Sequence, residues 1–153
     1  MNTPTATRLR LDAQRTVLAA DPAPELVLAV GVMDLAGRLF RHDPPTPFEM
    51  EQAIDAVEDA LSSSGLRQSE RGDLVTSDPL LQAWVSAGSL QGDGVRLTRD
   101  DVEAIFQRLA SATLGHPAAL AGLPAGRDAT AALLILRECM HHLGYGGIRF
   151  VAM

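Results

Sequence analysis

Lysine is absent from this 153-residue chain, and all thirteen basic residues are arginine. That lack excludes Schiff-base chemistry on a lysine, a Walker-type phosphate-binding lysine and a lysine general base. Cysteine is nearly as scarce. Cys139 stands alone, so no internal disulfide, paired-thiol metal site or CxxC redox motif can form, which fits a reducing cytosol. Positive charge is in deficit: thirteen arginines face nineteen acids, for a net charge of −6. An acidic surface repels phosphate backbones, so neither nucleic acid nor an anionic membrane is an expected partner. Long apolar runs are missing as well. The longest candidate, residues 129–136, falls short of the roughly 18 residues that a spanning helix needs. Residues 1–7 lack the basic start and apolar run of a secretory signal. A cytoplasmic location, with residues 1–7 as a disordered tail, is the expectation.

What is present is globular in character, with 46% hydrophobic and 21% charged residues. At 153 residues one domain suffices, burying roughly 70% of the unfolded surface. The first third reads as extended. Arg8-Leu9-Arg10-Leu11 alternates, Thr16-Val17-Leu18 is apolar and partly β-branched, and residues 25–33 form a longer apolar run. Turns at residues 12–15 and 21–24 separate three strands, although Leu11 and Leu18, seven apart, leave a helix over residues 8–20 as an alternative.

A strong helix start follows Asp43-Pro44-Pro45: Thr46 as N-cap, Pro47 at the first helical position, and Glu49 placed to close a capping box. Met50, Ile54, Val57 and Leu61 then form one stripe, and Ser62 to Gly65 ends it. A short strand over residues 73–76 and a brief helix from Asp78-Pro79 through Trp84 come next, then a turn-rich loop over residues 88–94. Thr98-Arg99-Asp100-Asp101 opens a second helix with Val102, Ile105, Phe106 and Leu109 inward. Residues 114–126 make a loop that packs Leu120 and Leu123. Residues 127–143 form the most buried helix, broken by residues 144–147 before a closing strand over residues 148–152. The order β-β-β-α-β-α-α-β predicts an α/β domain with a mixed sheet of about five strands.

That order, with these residues, resembles the second actin-like lobe of the exopolyphosphatase/guanosine pentaphosphate phosphatase (Ppx/GppA) family. The likeness spans most of the chain. Val32-Met33-Asp34-Leu35-Ala36-Gly37-Arg38-Leu39-Phe40 and His42-Asp43-Pro44-Pro45-Thr46-Pro47 are similar to the family's passage from the third strand into a helix. Leu97-Thr98, Gly122-Leu123-Pro124, Arg127-Asp128 and an apolar helix ending at Gly144 resemble its C-terminal segment. The resemblance implies three sequential antiparallel strands, with the closing strand parallel to the fourth and beside it.

The departures bear on function. In the family, Asp-x-Gly-Gly-Gly-Ser-Thr-Glu between the first two strands lets backbone N–H groups close around phosphate oxygens. Here that bend reads Asp12-Ala13-Gln14-Arg15-Thr16, without glycine. The family's second glycine-rich phosphate turn corresponds to Thr76-Ser77-Asp78-Pro79, where proline lacks an N–H. The family's first lobe, with its catalytic glutamate, has no counterpart before Arg8. No catalytic set and no cofactor are therefore expected. The predicted protein is a stand-alone, non-catalytic interaction module with a protein partner, a second copy of itself included. The alternative is a phosphate-ligand binder or exopolyphosphatase-like hydrolase that takes polyphosphate or nucleotide through Asp12, Arg15, Thr16, Thr76 and Ser77, its cleft completed by oligomerisation.

Other chemistry-bearing residues have plainer readings. Glu138 and His142 lie one turn apart with His141 between them, but two side chains do not make a metal site. Histidines at a helix C-terminus interact with exposed carbonyls, so no metal is expected. His42 and His116 sit in proline-containing loops, and Cys139 follows an apolar run as an inert buried thiol would. Leu80, Leu81 and Trp84 mark a partner surface if exposed, and the edge of the core if buried.

Overall fold

A computed structural model describes residues 6–88 and 96–151. The chain opens with a meander of β1 (Thr7–Leu11), β2 (Thr16–Ala19) and β3 (Leu26–Leu28), antiparallel throughout, so residues 8–20 are a hairpin and not a helix. Of the expected tail, Thr7 is already paired within the sheet and Ala6 leads into it, while residues 1–5 lie outside the described residues. In β1, buried Leu9 and Leu11 alternate with exposed Arg8 and Arg10, as period-2 patterning requires.

The strand expected over residues 25–33 is corrected: β3 ends at Leu28, and the chain winds into α1 (Val32–Asp34) and a π-helical turn, Leu35–Leu39. Capping explains the switch. Gly31 N–H donates to Asp34 Oδ2 at 2.9 Å, while Val32 and Met33 donate to the carbonyls of Asp12 and Ala13. These amides are spent on a helix start, leaving none for a strand ladder.

α2 (Pro47–Ser63) starts where the sequence places it. Glu49 N–H donates to Thr46 Oγ1 at 3.2 Å, and Glu49 Oε1 accepts from Thr46 N–H at 3.1 Å. β4 (Arg71–Thr76) leads to α3 (Pro79–Gly88), which runs past Trp84. The loop expected over residues 88–94 falls almost wholly outside the described residues, which resume in β5 (Arg96–Thr98) and α4 (Arg99–Thr113). A 3-10 turn, Pro117–Leu120, packs Leu120 on the core, with Leu123 beyond it, before α5 (Arg127–Leu143) and β6 (Tyr145–Phe150).

Six strands pair in the order β3-β2-β1-β4-β6-β5, one more than expected. The added strand, β5, has three residues, too few to carry an alternation signal. β6 lies beside β4 and parallel to it, as the resemblance implied. It also starts earlier than the expected residue 148, because only Gly144 breaks the preceding helix, taking a left-handed φ of 90° as its C-cap. Gly147 belongs to the strand, where a Cβ would stand 2.6 Å from Arg96 Nη2.

The helices gather around α5, which is buried almost all round, against the sheet face bearing Leu9, Leu18, Leu28, Leu74 and Ile148. The opposite face presents Arg8, Arg10, Val27, Arg96 and Arg149, all exposed. The result is a single α/β domain with a mixed sheet.

Candidate functional site

Among the described residues, β1 and β4 pair at two positions, Thr7 with Leu74 and Arg8 with Val75. β1 then turns back to β2 on one side, while β4 leads away through α3 toward the other. Open α/β sheets place their ligand crevices at such a reversal, outside the carboxyl ends of the strands. A cleft of about 500 Å³ lies here, lined in part by Leu11, Asp12, Val17, Thr76, Ser77 and Asp78. Sequence reasoning therefore assembles three of its five anion-binding candidates: Asp12, Thr76 and Ser77 share the cleft, while Arg15 and Thr16 do not line it. Thr16 is corrected as a ligand group, because it is fully buried and its hydroxyl donates to Val30 O at 2.8 Å.

Anion binding at bends needs unspent amides. At the first bend, Asp12 N–H donates to Arg15 O at 2.9 Å, and the carbonyls of Asp12 and Ala13 accept from Val32 and Met33 at 3.1 and 2.8 Å. The start of α1 thus docks on the bend and uses its own donors there. At the second bend, Asp78 N–H donates to Thr76 Oγ1 at 3.0 Å, and Leu80 N–H donates to Asp78 Oδ1 at 2.9 Å. A carboxylate of the chain itself already occupies the N-terminus of α3, the place where a phosphate oxygen would sit.

The charges agree with this. Asp12, Glu25 and Asp78 set three carboxylates in the cleft lining against the guanidiniums of Arg8 and Arg10. Arg15 Nε bonds Asp12 Oδ2 at 2.9 Å and Arg10 Nε bonds Oδ1 at 3.3 Å, and these hydrogen bonds hold the Asp12 carboxyl below the usual aspartate range. Arg15 is thus committed to Asp12.

The proposed partner surface is corrected. Leu81 and Trp84 are core residues, with Trp84 Nε1 donating to Ala129 O at 2.7 Å, and Leu80 is partly buried against the same core. The periodicity of α3 turns these side chains toward α5. His42 is a loop hydrogen-bonder, its Nδ1 lying 2.9 Å from Glu49 Oε2, and His116 is exposed.

Cys139 is fully buried, and burial, followed by the nearby Glu138 charge, pushes its thiol pKa up to about 12. The thiolate is the nucleophile, so the native protein is expected to leave a disulfide reagent such as DTNB unreacted at mildly alkaline pH and to react fully once denatured. Rapid labelling of the folded chain would contradict the inert reading.

A second group of side chains converges at the other end of α5. Glu138 and His142 meet Glu58 of α2, with His142 Nε2 at 2.9 Å from Glu58 Oε2 and at 3.2 Å from Glu138 Oε2. Sequence reasoning found the pair on α5 and missed Glu58. The one local signal was an acid adjoining the inward stripe of α2, next to Val57.

Among the described residues, no helix is long and apolar enough to cross a membrane. No family model matches the sequence, and no curated protein matches it. Solved structures do match in fold. A type II variant of the Aquifex aeolicus Ppx/GppA phosphatase superposes with a TM-score of 0.70 at 13% identity over 99% of this chain and 54% of its own. An exopolyphosphatase from Cytophaga hutchinsonii superposes at 0.64 with 12% identity, over 99% and 54%. An exopolyphosphatase-like protein gives 0.64 and 12%, over 99% and 57%. The chain spans about half the length of these structures, and its fold is the actin-like one of Ppx/GppA proteins.

Proposed function

We propose that this chain is a non-catalytic interaction module: a Ppx/GppA-type lobe, second in kind, whose phosphate-binding bends have been lost. The observation that carries this reading is that both bends are filled by the chain itself. The first bend is plugged by the start of α1, and the second is capped by Asp78. Phosphoryl transfer depends on preorganised donors and a cationic clamp around the transferring group. The acidic lining of the cleft opposes both substrate and transition state.

The contact is with protein, and a second copy of this chain has suitable chemistry. Arg8, Arg10, Arg96 and Arg149 are exposed on one sheet face, where Arg8 pairs with Asp21, Arg10 with Asp12, and both Arg96 and Arg149 with Asp73 across the strands. α2 of another copy offers exposed Glu51, Asp55 and Asp59. Charge complementarity of this kind governs orientation and encounter rate.

The test has two arms. Purified protein is incubated with polyphosphate, guanosine pentaphosphate and Mg²⁺, with turnover and melting temperature both followed; the expected result is no hydrolysis and no concentration-dependent shift. Light scattering after size exclusion is expected to show self-association that weakens as salt rises. Turnover lost on Asp12→Ala overturns the non-catalytic reading. A monomer at every protein concentration overturns self-association alone.

A further inference from the structure

α2 and α5 bring three ligating atoms from distant parts of the sequence to one spot. Glu58 Oε2, Glu138 Oε2 and His142 Nε2 all lie within 4.8 Å of one another. Glu58 and His142 are partly open to solvent, with side-chain exposures of 40% and 36%, whereas the Glu138 side chain is 1% exposed. Its Oε2 has no hydrogen-bond partner among the described residues, although His142 Nε2 stands 3.2 Å away. One imidazole N–H cannot satisfy two carboxylates. A buried acceptor aimed into the cluster is thus left without a donor, an arrangement that native interiors rarely tolerate without an ion or water.

We propose that Glu58, Glu138 and His142 bind a divalent transition metal, with Zn²⁺ the best-matched ion. Bonds of about 2.0–2.2 Å to nitrogen and carboxylate oxygen, arranged tetrahedrally, set neighbouring ligand atoms roughly 3.3 Å apart. The separations from His142 Nε2, 2.9 and 3.2 Å, are close to that edge. Two carboxylates offset the charge of the ion, and an imidazole favours Zn²⁺ over Mg²⁺, which prefers oxygen ligands and retains its waters. Access exists from solvent, because an opening lined by Glu58, Ser62, Leu66 and His142 leads to the cluster and leaves room for a water as fourth ligand. Outside the ligands, Arg137 Nη1 donates to Glu138 Oε1 at 3.2 Å, and Arg137 is itself held by Glu103. Such partners orient a ligating carboxylate.

The ion would join α2 to α5 and stabilise the fold, independently of what the cleft binds. The chain freed of metal by chelation is titrated with ZnCl₂ by calorimetry, and its melting temperature is followed with Zn²⁺ and, separately, Mg²⁺. One Zn²⁺ per chain is expected, with a melting temperature that climbs with its concentration by mass action and does not respond to Mg²⁺. Glu58→Gln and His142→Ala are each expected to weaken Zn²⁺ binding by at least about 100-fold, the upper end of what loss of an outer-shell partner costs. His141→Ala is expected to leave it unchanged. Glu58 is partly exposed, so its variant should fold; Co²⁺ absorption in the visible, present in the parent and lost in Glu58→Gln, gives a second readout. An absent Zn²⁺ response, or one that survives both Glu58→Gln and His142→Ala, overturns the site and leaves His142 as a neighbour of two carboxylates and nothing more.

Discussion

Trp84→Ala is expected to lower the unfolding free energy by about 3–5 kcal/mol, the cost of truncating a large buried aromatic. Trp84 is 1% exposed on α3, and its indole N–H donates to Ala129 O in the first turn of α5, so one side chain joins two helices by packing and by a hydrogen bond. Removing it leaves a cavity and takes away the hydrogen bond to Ala129 O. For a chain of this length the melting temperature should fall by on the order of 10 °C. Trp84→Phe keeps most of the volume and loses the donor, so about 1–2 kcal/mol is expected. Urea unfolding followed by circular dichroism checks both, since Trp84 is the only tryptophan and fluorescence disappears with it. Were Trp84 a docking residue on the surface, the alanine variant would stay within about 0.5 kcal/mol of the parent.

The second large effect is expected at Gly31, in the place where the fold closes its first bend. A Cβ there would overlap the backbone nitrogen of Arg15, the carbonyl oxygen of Asp12 and the carbonyl carbon of Ala13. Gly31 has an ordinary extended conformation, with φ −133°, so the requirement is space and not dihedral freedom. These neighbours are main-chain atoms of a hydrogen-bonded turn and cannot swing aside as a side chain would. Gly31→Ala must push α1 off the bend and break the bonds from Val32 and Met33 to Asp12 and Ala13. A loss of about 3 kcal/mol is expected, at the upper end of overpacking costs. Chemical denaturation measures it, and a loss below about 0.5 kcal/mol would show that α1 does not dock on the bend as described.

That docking also gives the proposed function its physical sense. A bend with small residues and free amides can receive an anion, whereas here it receives a helix start. Gly31 makes this closure possible by allowing close backbone approach.

Much of the fold was legible because its signals are local. Thr46 with Glu49 and Thr98 with Asp101 form capping boxes a few residues long, and both helices begin where those residues stand. The apolar breadth of residues 131–136 identified the most buried helix, and the alternation in β1 set its inward face. The passage around residues 25–33 was misread for the same reason. An unbroken apolar run resembles a buried strand, and nothing nearby announces that the amides of Val32 and Met33 are taken by a turn some twenty residues earlier in the chain. β5 was missed because three residues acquire strand character only from their partner β6.

By itself the sequence determined that this chain offers no lysine and a single cysteine, where the main helices start, and the mixed α/β order of elements. Only the tertiary structure decided which side chains meet. It turned Leu81 and Trp84 inward, sealed Thr16 behind the sheet, and added Glu58 to Glu138 and His142. Composition and capping act through neighbours along the chain, whereas burial and ligand geometry depend on residues that folding brings within a few ångströms of each other from eighty positions apart, as with Glu58 and Glu138.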